Sequence, residues 1–157
     1  MRIIGLGNDH RGDDAAGLIA AHRLRRLGFD AREHRGDLLA LLDQMIGTAE
    51  LVIVDAVVTG AAPGAIHYWD GRRLPPEAVG TRSSTHSFSL GDAIRRAGSL
   101  DRLPARVRVI GIEAADFAAL NPKVLAAVES VVASFRPSAP IPSGTPASGT
   151  CSRPRYS

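Results

Sequence analysis

Apolar positions along this 157-residue chain fall into short strand-like runs that alternate with stretches of helical period. Arg2 to Leu6 is a brief apolar run closing on Gly5-Leu6-Gly7, which predicts a strand ending in a glycine turn. Asp13 to Leu27 predicts a helix, with Asp13 as N-cap, an apolar stripe through Leu18, Ala21, Leu24 and Leu27, and Gly28 at the C-terminal stop. Asp30 to His34 alternates as an edge strand would, and leucine-dense Leu38 to Ile46 predicts a second helix closed by Gly47. Leu51-Val52-Ile53-Val54 is uninterrupted apolar sequence, expected of a central strand buried on both faces, and Asp55 follows it directly. Gly64 to Trp69 and Val107 to Ile112 predict two more strands. Ser89 to Ala97 and Asn121 to Phe135 predict helices, the latter with Pro122 in its first turn, where a missing N–H costs nothing. Alternation of this kind predicts an α/β fold, a twisted and mostly parallel sheet with helices on both faces.

From Pro137 the composition turns to Pro, Ser, Gly, Thr and Ala. Such a segment buries too little apolar surface to offset its ordering entropy, so one folded domain over 1–136 and a disordered tail over 137–157 are expected. The length suits a single core. No run of about 18 uncharged apolar residues is present, so no membrane span is predicted. The N-terminus lacks a signal-peptide layout, and Cys151 is the single cysteine, which together predict a cytoplasmic protein without an internal disulfide. The pI of about 9.7 is misleading. Arg153 and Arg155 lie in the tail, and the remainder carries 17 basic against 16 acidic side chains. Arg23, Arg25 and Arg26 read as a solvated helix face, and aromatics are only 4% of the chain, so a nucleic-acid partner is not expected.

Candidate chemistry gathers where the predicted strands end, which is where open α/β sheets bind ligands. Gly5-Leu6-Gly7 fails as a dinucleotide fingerprint because His10 stands at the third glycine position, and no Gly-Lys-Ser/Thr makes a phosphate loop. The same loop delivers Asp13 and Asp14 to a helix N-terminus, where one carboxylate suffices for capping and a second points to a cation. Asp55 stands at the mouth of the most apolar strand, and His86 lies among the hydroxyls of Ser83, Ser84, Thr85 and Ser87. Asp14, Asp55 and His86 make an open oxygen and nitrogen site for a borderline divalent ion such as nickel or zinc. Asp13 and the histidines His10, His22, His34 and His67 compete for a place in it, of which His22 and His34 are expected to face solvent. A triad of Ser84, His86 and Asp55 lacks the G-x-S-x-G elbow that would expose a nucleophile.

Taken in order, Gly5-Leu6-Gly7-Asn8 with Asp13-Asp14, Val52-Ile53-Val54-Asp55-Ala56, Ser84-Thr85-His86 before a helix containing Leu90, and Gly111-Ile112-Glu113 resemble the maturation endopeptidases of nickel-iron hydrogenases. The resemblance runs from Met1 to about Phe135. It implies a three-layer αβα sandwich around a five-stranded sheet. It implies removal of a C-terminal extension from a hydrogenase large-subunit precursor after nickel insertion, with the nickel carried by the substrate and faced by Asp14, Asp55 and His86. A monomeric enzyme is expected. Ala15 departs from the glycine that often follows the acidic pair in that family, and the proline-serine tail lies outside its pattern. Two rival readings are a peptidyl-tRNA hydrolase and a non-enzymatic metal or nucleotide sensor. The former shares Gly-Leu-Gly-Asn, but here Asp9-His10 replaces the Pro-Gly that should follow.

Overall fold

The computed structural model describes residues 1–76 and 89–135. Along the chain these form strand β1 (Arg2–Leu6), a 3-10 turn (Gly12–Ala15), helix α1 (Ala16–Arg26), β2 (Ala31–His34) and α2 (Leu41–Met45). There follow β3 (Glu50–Val57), β4 (Ile66–Asp70), a second 3-10 turn (Gly71–Arg73), α3 (Leu90–Ser99), β5 (Arg106–Glu113) and α4 (Pro122–Ser134). The five strands form one sheet in the order β2-β1-β3-β5-β4, with β4 alone antiparallel to its neighbour. This is the predicted α/β architecture, and its five strands match what the resemblance implied.

Side chains in register on adjacent strands share a face, so the parity of the pairing sorts the core into two layers. Ile3, Val52, Val54, Ile110 and Ile112 pack with Ala16, Ala20 and Leu24 of α1 and with Val124, Val128 and Val131 of α4. Ile4, Leu6, Leu51, Ile53, Val107 and Val109 pack on the other face with Leu41 and Met45 of α2 and Leu90 and Ile94 of α3. Every residue of the Leu51–Val57 run is buried, as a strand covered by helices on both sides requires.

Several boundaries differ from expectation for local reasons. The first helix is not continuous from Asp13, because a 3-10 turn carries Asp13 and Asp14 and the α-helix starts at Ala16. Asp13 is no cap. No side-chain cap bond is made at either helical start, and its carboxylate is engaged elsewhere. The second helix is shorter than predicted, since residues 38–40 make tight turns in which Asp37 accepts from Leu39 and Ala40 before α2 begins. Ser89 caps α3 through a reciprocal box with Asp92, and Asn121 caps α4 with Pro122 in the first turn. Arg23 pairs with Glu129 and Arg25 with Glu33, so two of the clustered arginines serve intramolecular ion pairs. No helix among the described residues is long and apolar enough to cross a membrane. The segment 137–157, expected to be a tail, lies outside the described residues.

Candidate active site at the ends of the parallel strands

The strand order turns back on itself between β1 and β3. β2 lies on the outer side of β1, while β5 and β4 extend beyond β3. In sheets of this kind the usual ligand position is the crevice outside the carboxyl ends of the two strands at such a switch point. Asp14 sits in the 3-10 turn after β1, and Asp55 lies two positions before the end of β3. Both are buried, each only 5% exposed.

The approach of α1 to this crevice depends on one glycine. A Cβ on Gly17 would lie 2.3 Å from the Val54 carbonyl oxygen and 2.4 Å from that of Leu6, so only a residue without a side chain lets the helix sit directly on β1 and β3. Gly17 thereby sets where the turn carrying Asp14 lies relative to Val54 and Asp55. The Asn8 amide donates to the Asp14 carbonyl at 3.3 Å, closing the loop back onto that turn. Arg35 donates to Asp9 at 2.7 Å, tying the glycine loop to the segment after β2 and holding the Asp9 carboxyl below its ordinary range. Arg11 lies over the Phe117 ring at 5.6 Å.

Of the two neighbouring aspartates, Asp13 has a structural duty. Asp13 is fully buried, and its carboxylate accepts the backbone N–H groups of Ala115 (2.8 Å), Asp116 (2.9 Å) and Asn121 (2.6 Å). These bonds tie the loop after β1 to the loop after β5. With three amides on it, Asp13 is a structural acceptor rather than the contender for a ligand that its sequence position made it.

The histidines also sort by environment. His22 and His10 are exposed, while His67 is partly buried. His34 is buried, contrary to expectation. Its Nε2 meets the Asp37 carbonyl oxygen at 3.0 Å and its Nδ1 meets the Gln44 amide at 2.8 Å, so α2 covers what would otherwise be an edge position. His86 lies outside the described residues, as does Ser84. Among the described residues, no cluster of three or more His, Cys, Asp or Glu side chains is arranged to hold a metal ion.

Sequence reasoning passed over the role of Glu113. It ends β5 as Asp55 nears the end of β3, and it is almost wholly buried. Thr59 donates to it from its amide (2.7 Å) and hydroxyl (2.8 Å), the Gly60 amide donates at 2.9 Å, and His67 Nε2 lies at 3.1 Å. Burial pushes its carboxyl upward, but the bonds from Thr59, Gly60 and His67 outweigh this and hold it below the usual glutamate range. The signal that singled out Asp55, an acid closing an apolar strand, was equally present here.

The site thus belongs to a doubly wound α/β domain with buried acids near its strand ends. Comparison with known proteins makes this specific. The hydrogenase maturation protease family (HycI) matches residues 37–136, more than half of the chain. The chain belongs to that family. Among solved structures it is similar to the [NiFe] hydrogenase maturation protease HybD from Thermococcus kodakarensis, at 28% identity and a TM-score of 0.65 over 85% of this chain and 95% of that one. The fold is also that of the hydrogenase maturating endopeptidase HybD from E. coli, with a TM-score of 0.69 at 24% identity over 85% of this chain and 89% of that one. A curated relative, Protein FrxA of Pyrococcus furiosus, is 33% identical over 63 residues, 40% of this chain; the match spans 45% of the relative's own length, under half. Neither the peptidyl-tRNA hydrolase reading nor the metal-sensor reading finds support in these relatives.

Proposed function

We propose that this protein removes the C-terminal extension of a nickel-iron hydrogenase large-subunit precursor once nickel has been inserted, and that Asp14, Asp55 and His86 are the groups that face the nickel. The observation that carries this reading is the pair of buried carboxylates at the β1–β3 switch point of a chain that belongs to the hydrogenase maturation proteases. Carboxylate oxygens suit a divalent cation. A substrate-borne nickel ion meeting both aspartates would couple recognition to the presence of the metal. His86, three positions before the α3 cap Ser89 in sequence, supplies a borderline nitrogen donor beside the two oxygen donors.

Nickel belongs to the substrate in this scheme, and the enzyme holds no metal of its own. Coordination by the three side chains fixes the precursor's position, so binding energy aligns the scissile peptide over the strand ends. The metal at that peptide would polarise its carbonyl or lower the pKa of an attacking water. The enzyme acts in the cytoplasm as a monomer. Mixing the purified protein with a nickel-loaded large-subunit precursor and recording intact mass tests the function. Loss of a C-terminal fragment supports it, and an unchanged precursor mass refutes it.

A further inference from the structure

Asp55, Gly111 and His67 stand in one row across the sheet, because Gly111 of β5 pairs with Asp55 of β3 on one side and with His67 of β4 on the other. Their side-chain positions therefore point to the same face. Two strand spacings separate Asp55 from His67, roughly 10 Å between Cα atoms. The position between them must be glycine. A Cβ on Gly111 would lie 2.5 Å from Cζ3 of Trp69, whose indole leans over that spot. The Trp69 ring stacks on the His67 imidazole with centroids 5.1 Å apart and planes inclined by 3°. A stacked aromatic pair thus lies two strands from Asp55, with His67 in its row and Trp69 two positions further along β4.

Glu113 fixes this pair. Its buried carboxylate holds His67 Nε2 and, through Thr59 and Gly60, the turn that follows Asp55 and Val57. The imidazole is 24% exposed, and its Nδ1 has no other bond among the described residues. A structural pin would be satisfied by Thr59 and Gly60 alone. Glu113 in addition sets the angle of a partly exposed ring whose second nitrogen makes no bond among the described residues.

We propose that His67 hydrogen-bonds the backbone of the substrate peptide about three residues from the scissile bond, since an extended chain advances ~3.3 Å per residue, and that Glu113 is its positioning residue. The inference rests on the functional reading above and adds a contact that selects the substrate peptide apart from its nickel.

Kinetics of cleavage of the nickel-loaded precursor test it with wild type, H67A, H67Q, E113Q, the double variant H67A/E113Q and Y68A as a control. Tyr68 is 64% exposed on the opposite face of β4. H67A is expected to raise KM about tenfold, as for one lost hydrogen bond, with kcat within about twofold. H67Q restores most of the KM, because its amide can bond both Glu113 and the peptide. E113Q raises KM in the wild-type background and adds nothing to KM in the H67A background, the non-additivity expected of one unit. Wild-type KM in H67A, or a KM effect of E113Q undiminished by H67A, overturns the inference while leaving the functional reading in place. A wild-type chain that does not cleave the precursor at all overturns the functional reading and the inference with it.

Discussion

The Asp13 carboxylate accepts the amide of Ala115 at 2.8 Å across 102 positions of sequence, binding the loop after β1 to the loop after β5. With Asp116 and Asn121 on the same carboxylate, it is one of the bonds that close the rim around the crevice. Asp14, its neighbour in sequence, is buried in the 3-10 turn after β1 and is one of the groups proposed to face the nickel.

That division predicts opposite phenotypes for two adjacent substitutions. Asp13→Ala leaves three backbone donors short of a charged acceptor inside the protein and should cost about 3 kcal/mol of stability. Asp14→Asn should unfold at a denaturant concentration close to wild type and process no precursor. Urea titrations followed by circular dichroism, run beside the cleavage assay, distinguish them. A stable Asp13→Ala protein would contradict the structural duty assigned to it.

Asp55→Asn and His86→Ala should each lower processing by at least a hundredfold with the fold retained, because each removes one of three groups proposed to face the nickel. Full processing by either variant removes that residue from the site. Intact mass of the precursor after fixed incubation is the readout.

The close approach of α1 makes Gly17 a steric test of the crevice. Gly17→Ala would place a methyl group within 2.4 Å of two carbonyl oxygens and must push the helix away from β1 and β3. A loss of about 2–3 kcal/mol is expected, typical of forced overpacking, together with reduced processing. Thermal unfolding of the variant checks it, and an unchanged midpoint would mean the helix has room that the backbone spacing denies.

The pH dependence of stability follows from Glu113. Its folded-state carboxyl lies below the ordinary value of 4.5, since the hydrogen bonds outweigh the upward push of burial. The sign is that of a depressed acid, whose contribution is fully present above the unfolded-state value and is lost as pH falls through the folded-state one. Urea midpoints of wild type should therefore decline as pH drops below about 4.5, the unshifted value. In Glu113→Gln part of that decline should be missing. A decline of equal steepness in the variant would assign the acid sensitivity to other carboxylates.

What could be read from sequence divides along a physical line. Periodicity and apolar runs are local, so β3, the capped start of α4 at Pro122 and the acid near the end of β3 were legible before any coordinates. The sheet order was not, because crossover direction is not written in any one segment. Asp13 reads as a helix cap from its immediate neighbours, whereas its true partners arrive from beyond β5. His34 was expected to face solvent because the alternation of β2 marks an edge, and only the Gln44 side chain from α2 explains its burial. Glu113 shows the reverse case, a local signal present in the chain but attached to no role until Thr59, Gly60 and His67 were seen to converge on it.

The central claim, that this protein recognises its substrate through nickel already in place, is tested most directly by presenting it with the same large-subunit precursor in nickel-loaded and nickel-free forms and following intact mass. Shortening of the nickel-loaded form alone is the predicted result. Equal shortening of both forms, or of neither, would contradict it.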